Sequence, residues 1–197
     1  MTNSQPHGHS AQWAQVYDLL SRALAELNDG HSTPLRSSLQ DVSELTQRIR
    51  ELDTPKACDT PAAAALFDLF ELDLLPSGEV LYEAACALRT LATVCDFDRV
   101  ASIASNTTFG VSRSPLLAWL VDHSGSRGLE VVVDQLADPT VRAIGLRHLR
   151  RYHPTPTHLI GSIESFLDDP DPRVRTEAER TANLLYLAIF APSLRTC

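Results

Sequence analysis

The chain has 197 residues, of which 44% are hydrophobic and 21% charged, and a net charge of −8. That length and composition suit one folded domain with a sizeable core and exclude wholesale disorder. No apolar run reaches the roughly eighteen residues needed to cross a bilayer, and an acidic chain with one lysine is a poor phosphate-backbone binder, because affinity there comes from many Lys and Arg contacts.

Residues 1–10 are polar and read as a flexible tail. They have neither a basic start nor an apolar core of the secretory kind, so cytoplasmic residence is the expectation. His7 and His9 lack the further ligands that a metal needs. From Ala11 to Leu27 a helical stripe of Trp13, Val16, Tyr17, Leu20, Ala23, Leu24 and Leu27 ends at Asn28-Asp29-Gly30. A second helix is expected from Ser32 to Leu52, with Leu35, Leu39, Val42, Leu45, Ile49 and Leu52 inward. Thr60-Pro61 opens a third, over Ala62–Leu74. The fourth, from Glu79 to Val94, repeats the apolar slots as Val80, Ala84, Leu88 and Leu91.

A shorter helix is expected over Phe97–Ala104, a loop over 105–110, and a helix opened by Ser114-Pro115 and running to Val121. His123-Ser124-Gly125-Ser126 reads as a flexible turn, and Ser124-Gly125-Ser126 is too short for a phosphate loop. The remaining helices are expected over Leu129–Ala137, Pro139–Tyr152, Pro156–Leu167 and Pro172–Phe190. No alternating run is long enough to propose a strand. The four cysteines include no C-x-x-C pair and read as reduced structural thiols. No metal site and no cofactor are indicated.

The most informative stretch is Asp138-Pro139-Thr140-Val141-Arg142, which returns as Asp171-Pro172-Arg173-Val174-Arg175. In each copy Asp can cap a helix start and Pro suits its first turn. The stripe then continues as Val141, Ile144, Gly145, Leu149 and Tyr152, or as Val174, Ala178, Ala182 and Leu185. The small residue four after valine (Ala84, Gly145, Ala178) lets neighbouring helices approach closely. Val80 and Val111 extend the register, but Pro115 then occupies the small-residue slot. Either the register slips in that unit or Val111 is a coincidence. Units of this period cannot bury an apolar face alone and stack on copies of themselves.

On these residues, from Leu136 to Arg142 and from Leu167 to Ala178, the chain resembles the HEAT-repeat family, including its bacterial HEAT-like and phycobilisome-lyase-type members. The resemblance implies an all-α, right-handed solenoid of antiparallel helix pairs, about eight to ten helices over residues 11–197, most regular over 127–190. It also implies a ladder between repeats carried by Asp138, Arg142, Asp171 and Arg175. The His-Glu dyads of the iron-dependent HEAT-repeat hydroxylases are absent, since no histidine is followed by Glu.

Function is less legible than fold. Residues 1–100 hold 7 basic and 15 acidic side chains, whereas 101–197 hold 10 of each. Seven arginines fall between Arg142 and Arg180. Arg147, Arg150, Arg151 and Arg180 are candidates for binding an acidic segment of a protein partner, since Arg grips carboxylates bidentately; the plain alternative is a solvated face. Asp168, Asp169 and Asp171 read as helix-start acids and not as metal ligands. The apolar run Leu184–Ala191, with Leu187 and Phe190, offers either a contact for a partner or second copy, or a patch covered by the residues after Pro192. The leading reading is a non-catalytic adaptor, regulator or assembly factor. The alternative resembles the HEAT-like alkylpurine DNA glycosylases, with Trp119 and Asp122 as the nearest groove aromatic and carboxylate. A chromophore lyase or its chaperone is a third reading, which no residue singles out.

Overall fold

A computed structural model of the chain describes residues 61–71, 75, 78–151 and 157–190, together with 15, 18, 19, 21, 22, 25, 37, 39–41 and 44. Among these residues the fold is all-α, without a strand. The early described positions are all helical, and Leu19 and Leu39 are buried. The N-terminal tail and the stripe from Trp13 to Leu27 lie outside the described residues. Two compact units are formed, Met1–Ile103 and Ala104–Cys197.

In the first unit, α1 (Pro61–Glu71) packs on α2 (Glu79–Leu91). Pro61 starts α1, where its missing N–H costs no helical bond. Gly78 opens α2 at φ 82, a backbone region that L side chains avoid. Val80, Ala84, Leu88 and Leu91 are buried, as their spacing requires. The helix ends three residues before the expected Val94. There the Thr93 N–H and hydroxyl both donate to Asp96 Oδ2, at 2.8 and 2.9 Å, and open a separate turn over Val94–Asp96. α3 (Phe97–Ser105) is tied back to α1 by Arg99. Its Nε and Nη2 fork onto Glu71 at 2.7 and 3.0 Å, Nη2 also reaches Asp68, and the guanidinium lies 4.3 Å from the Phe67 ring centroid.

The reading of the cysteines needs correction. Cys86 is free, but Cys95 is disulfide-bonded. The absence of a paired C-x-x-C motif said nothing about cysteines distant in sequence, whose pairing is decided by the fold.

The second unit is built around α4 (Ser114–His123), in which every residue from Ser114 to Val121 is buried. A helix apolar on all sides belongs inside. Leu116, Leu117, Trp119 and Leu120 are buried, as are Leu129, Val132, Leu136, Leu146, Leu149 and Ile163. At about 1.5–3 kcal/mol per fully buried large side chain, this cluster is the main source of the unit's cohesion. After α4 come α5 (Gly125–Gln135), α6 (Arg142–Leu149), the short α7 (Ile160–Glu164) and α8 (Pro172–Phe190). α4 packs on α5 and α6, and α8 packs on α6 and α7.

Three local departures from expectation have physical causes. A 3-10 segment covers Thr107–Arg113, with Gly110 at φ 51, so Val111 lies off the helical stripe and is 52% exposed. α5 starts at Gly125, whose φ of 58 reverses the chain directly after α4, so the turn expected over 123–126 is confined to Ser124, with helix on either side. α6 starts at Arg142 and not at Pro139, because Asp138 holds the intervening turn together. α8 spans the residues expected of it.

Candidate functional site

Three turns between helical segments of the second compact unit carry an Asx residue whose Oδ1 accepts the N–H two residues on. Asn106 accepts from Thr108 at 3.0 Å, Asp138 from Thr140 at 2.9 Å, and Asp169 from Asp171 at 2.9 Å. Using Oδ1 in this way leaves Oδ2 of each aspartate facing the preceding unit, where an arginine donates to it. Arg113 Nη2 donates to Asp138, and Arg142 Nη1 donates to Asp169 at 2.7 Å. Arg142 also donates to the carbonyls of Leu136 and Ala137, at 2.7 and 2.9 Å. Arg175 makes the equivalent pair of bonds, to Asp169 and Pro170 carbonyls at 2.6 and 3.0 Å, and among the described residues no carboxylate pairs with it. Asp171 is engaged on its own turn by Arg173, through Nη2 at 2.9 Å.

The rungs are therefore Arg113–Asp138 and Arg142–Asp169, and Arg175 stands at the end of the series. Arg113 was not among the sequence candidates, because its Val111 neighbour is two residues before it where the motif has one. The recoverable signal was an arginine followed by a capped aspartate in the next unit.

Burial raises the Asp138 carboxyl, but the Thr140 N–H and hydroxyl, together with the Arg113 guanidinium, outweigh it and hold the group below the usual carboxylate range. A depressed folded value favours the folded state above the unfolded carboxyl's value of about 3.9, and that contribution is lost as pH falls through the folded value. The urea midpoint of the second unit is accordingly expected to hold its Asp138 contribution from pH 7 to about 5 and to lose it below about pH 4. The difference between parent and Asp138→Asn, measured across that range, should shrink towards acid. A difference independent of pH would remove the assignment.

The candidate partner-binding arginines converge on a residue the sequence reading passed over. Glu177, buried on α8, accepts from Arg150 Nη1 at 2.9 Å, from Arg147 Nη2 at 3.4 Å and from Arg180 Nη1 at 3.5 Å. It falls three residues after Val174, on the inward stripe, and that spacing could have marked it. Arg150 is half-buried and closest. Arg147 and Arg180 are held at long distance, and their side chains are 58% and 61% exposed. Among the described residues, three guanidinium groups around one carboxylate leave two positive charges uncompensated, in a chain of net charge −8. Arg151 lies apart, 3.5 Å from Asp122.

Beside this cluster α6 and the first turns of α8 enclose an open groove of about 390 Å³. Its lining is Ala143, Ile144 and Arg147 on one side and Pro172, Arg173, Thr176 and Glu177 on the other. The volume is within the range of side-chain and small-ligand sites.

Leu187 is 65% exposed on α8, while Leu185, two residues before it, is buried. The side chain of Phe190 lies outside the described residues. Trp119 is fully buried and stacks on His123 at 5.4 Å between centroids, so it offers no face to a groove. Among the described residues, no three His, Cys, Asp or Glu side chains gather as metal ligands would, and no helix is long and apolar enough to cross a membrane. No protein-family model matches the chain, and no curated protein matches it.

Proposed function

We propose that this chain is a short HEAT-like helical-repeat module, a right-handed array of antiparallel helix pairs, that binds a protein partner without catalysing a reaction. In this reading it is an adaptor, regulator or assembly factor, and the face formed by α6 and α8 takes an acidic segment of the partner. The observation that carries it is the gathering of Arg147, Arg150 and Arg180 on the single carboxylate of Glu177. Glu177 fixes the direction of the guanidinium groups without neutralising them, and a carboxylate-bearing peptide supplies what is missing. The recurrence of the Asp-Arg rungs in successive units supports the repeat assignment. Leu187, exposed on the same helix, is where a second copy of the chain would meet it.

The test is a titration of the full chain with a Glu-rich and a Lys-rich peptide of equal length. Binding of the acidic peptide is expected, weakening as salt rises. The double substitution Arg147→Glu with Arg180→Glu, at two exposed positions, is expected to lower its affinity by about tenfold or more. Equal binding of the two peptides, or indifference to the double substitution, would sink the reading.

A further inference from the structure

Resting on that reading, we infer that the groove between α6 and α8 takes a doubly charged group, the phosphate of a phosphorylated serine or threonine in the partner segment. Three features of the site lead there. The first is charge. Arg173 is matched by Asp171, through Nη2 at 2.9 Å, while Arg147, Arg150 and Arg180 share Glu177. Of these, Arg147 and the Glu177 carboxylate line the groove itself, and Arg150 and Arg180 adjoin it through Glu177. The surplus of two positive charges over the whole cluster is matched by one phosphate monoester, which carries about −1.5 to −2 near neutral pH. A single carboxylate would leave the site half-compensated.

The second feature is the placement of the arginines. Arg147 lines the groove from α6 and Arg173 lines it from α8, so a group between them is met from both sides. Arg147 is bound to Glu177 only at 3.4 Å and is mostly exposed, so it can turn to a ligand without breaking a close bond. Guanidinium forks suit the tetrahedral oxygens of a phosphate, and Arg150 at 2.9 Å keeps Glu177 occupied meanwhile. The third feature is the apolar lining. Ala143, Ile144 and Pro172 stand beside the arginines, so the phosphorylated residue would be accompanied by a small apolar neighbour. One compact dianion fits a groove of this size better than two carboxylates, which adjacent acidic residues hold on separate side chains.

Fluorescence anisotropy of the full chain tests this with three short labelled Ala/Leu peptides, identical except for a central serine, phosphoserine or Glu-Glu pair. The phosphoserine peptide is expected to bind about tenfold or more tighter than the serine peptide, and tighter than the Glu-Glu peptide. Inorganic phosphate should compete with it. Arg147→Ala with Arg173→Ala should abolish the preference while leaving the helical circular dichroism unchanged, and Arg147→Lys should retain part of it. If the Glu-Glu peptide binds as tightly as the phosphopeptide, the dianion assignment falls and acidic-segment binding stands. If neither outbinds the serine peptide, both fall. Displacement of the phosphopeptide by short duplex DNA at the same phosphate concentration as inorganic phosphate would overturn it in favour of a nucleic-acid surface.

Discussion

Arg113→Met is expected to destabilise the second unit by about 3–5 kcal/mol, the largest loss of any single rung. The side chain is 0% exposed. Its Nη1 donates to the Ala104 carbonyl at 2.7 Å and to Gln135 Oε1 at 2.6 Å, Nε donates to the Gly110 carbonyl at 3.2 Å, and Nη2 pairs with Asp138. Methionine fills similar volume but leaves each of these acceptors without its donor, and the half-buried Asp138 carboxylate without its counter-charge. Arg142→Met should cost less, about 2–3 kcal/mol, because its side chain is partly open to water, which can replace some of its bonds. Arg175→Met should cost about 1 kcal/mol or less, since it holds two carbonyls and no carboxylate. Urea midpoints of the three variants read the order directly. Adding Asp138→Asn to Arg113→Met should recover part of the loss, because it removes the stranded charge. An Arg113 variant as mild as the Arg175 variant would mean the rung is not structural.

This ordering bears on what could be read from sequence. The stripe positions Val141, Gly145, Leu149, Val174, Ala178, Ala182 and Leu185 are all buried, because helical periodicity reports which residues face a neighbour. The span Pro172–Phe190 was legible for the same reason, together with a proline at its first position. The chemistry of the rungs was harder to see. The segment 168–171 holds three aspartates, and spacing alone does not say which one faces the arginine of the unit before. Asp169 does so through Oδ2 while its Oδ1 caps the Asp171 N–H; Asp171 makes the same cap to the Arg173 N–H, at 2.8 Å, but its Oδ2 is taken by the Arg173 side chain. α4 was hard to recognise as the centre of the unit because Pro115, at its start, resembles a break in the repeat. Glu177 was missed because a surface argument counts the arginines first, whereas burial of their shared partner depends on a helix twenty-seven or thirty residues away in sequence.

Gly128→Ala should be nearly as damaging as the loss of Arg113, at about 3 kcal/mol, although it adds one methyl group. A Cβ at this position would lie 2.1 Å from the Leu120 carbonyl oxygen and 2.8 Å from its carbon. Both are backbone atoms of α4, the buried centre of the unit, so the contact can be relieved only by moving α5 away from the core. Gly145→Ala is the control. Its Cβ would meet Leu136 Cδ2 at 2.8 Å, the end of a side chain that can rotate, with Val132 Cγ1 next at 3.8 Å. Both glycines lie within helices, so each substitution gains about 0.8–1.0 kcal/mol of helix propensity, and the difference between them isolates the contact. Gly145→Ala is therefore expected to be near neutral, within about 1 kcal/mol, since the strain and the propensity gain oppose one another. Thermal melts followed by circular dichroism should place the Gly128 variant well below the parent and the Gly145 variant close to it. If the two melt together, α4 and α5 are not in the close contact that sets the register of the array, and the stacking of the later helices upon them would have to be drawn differently.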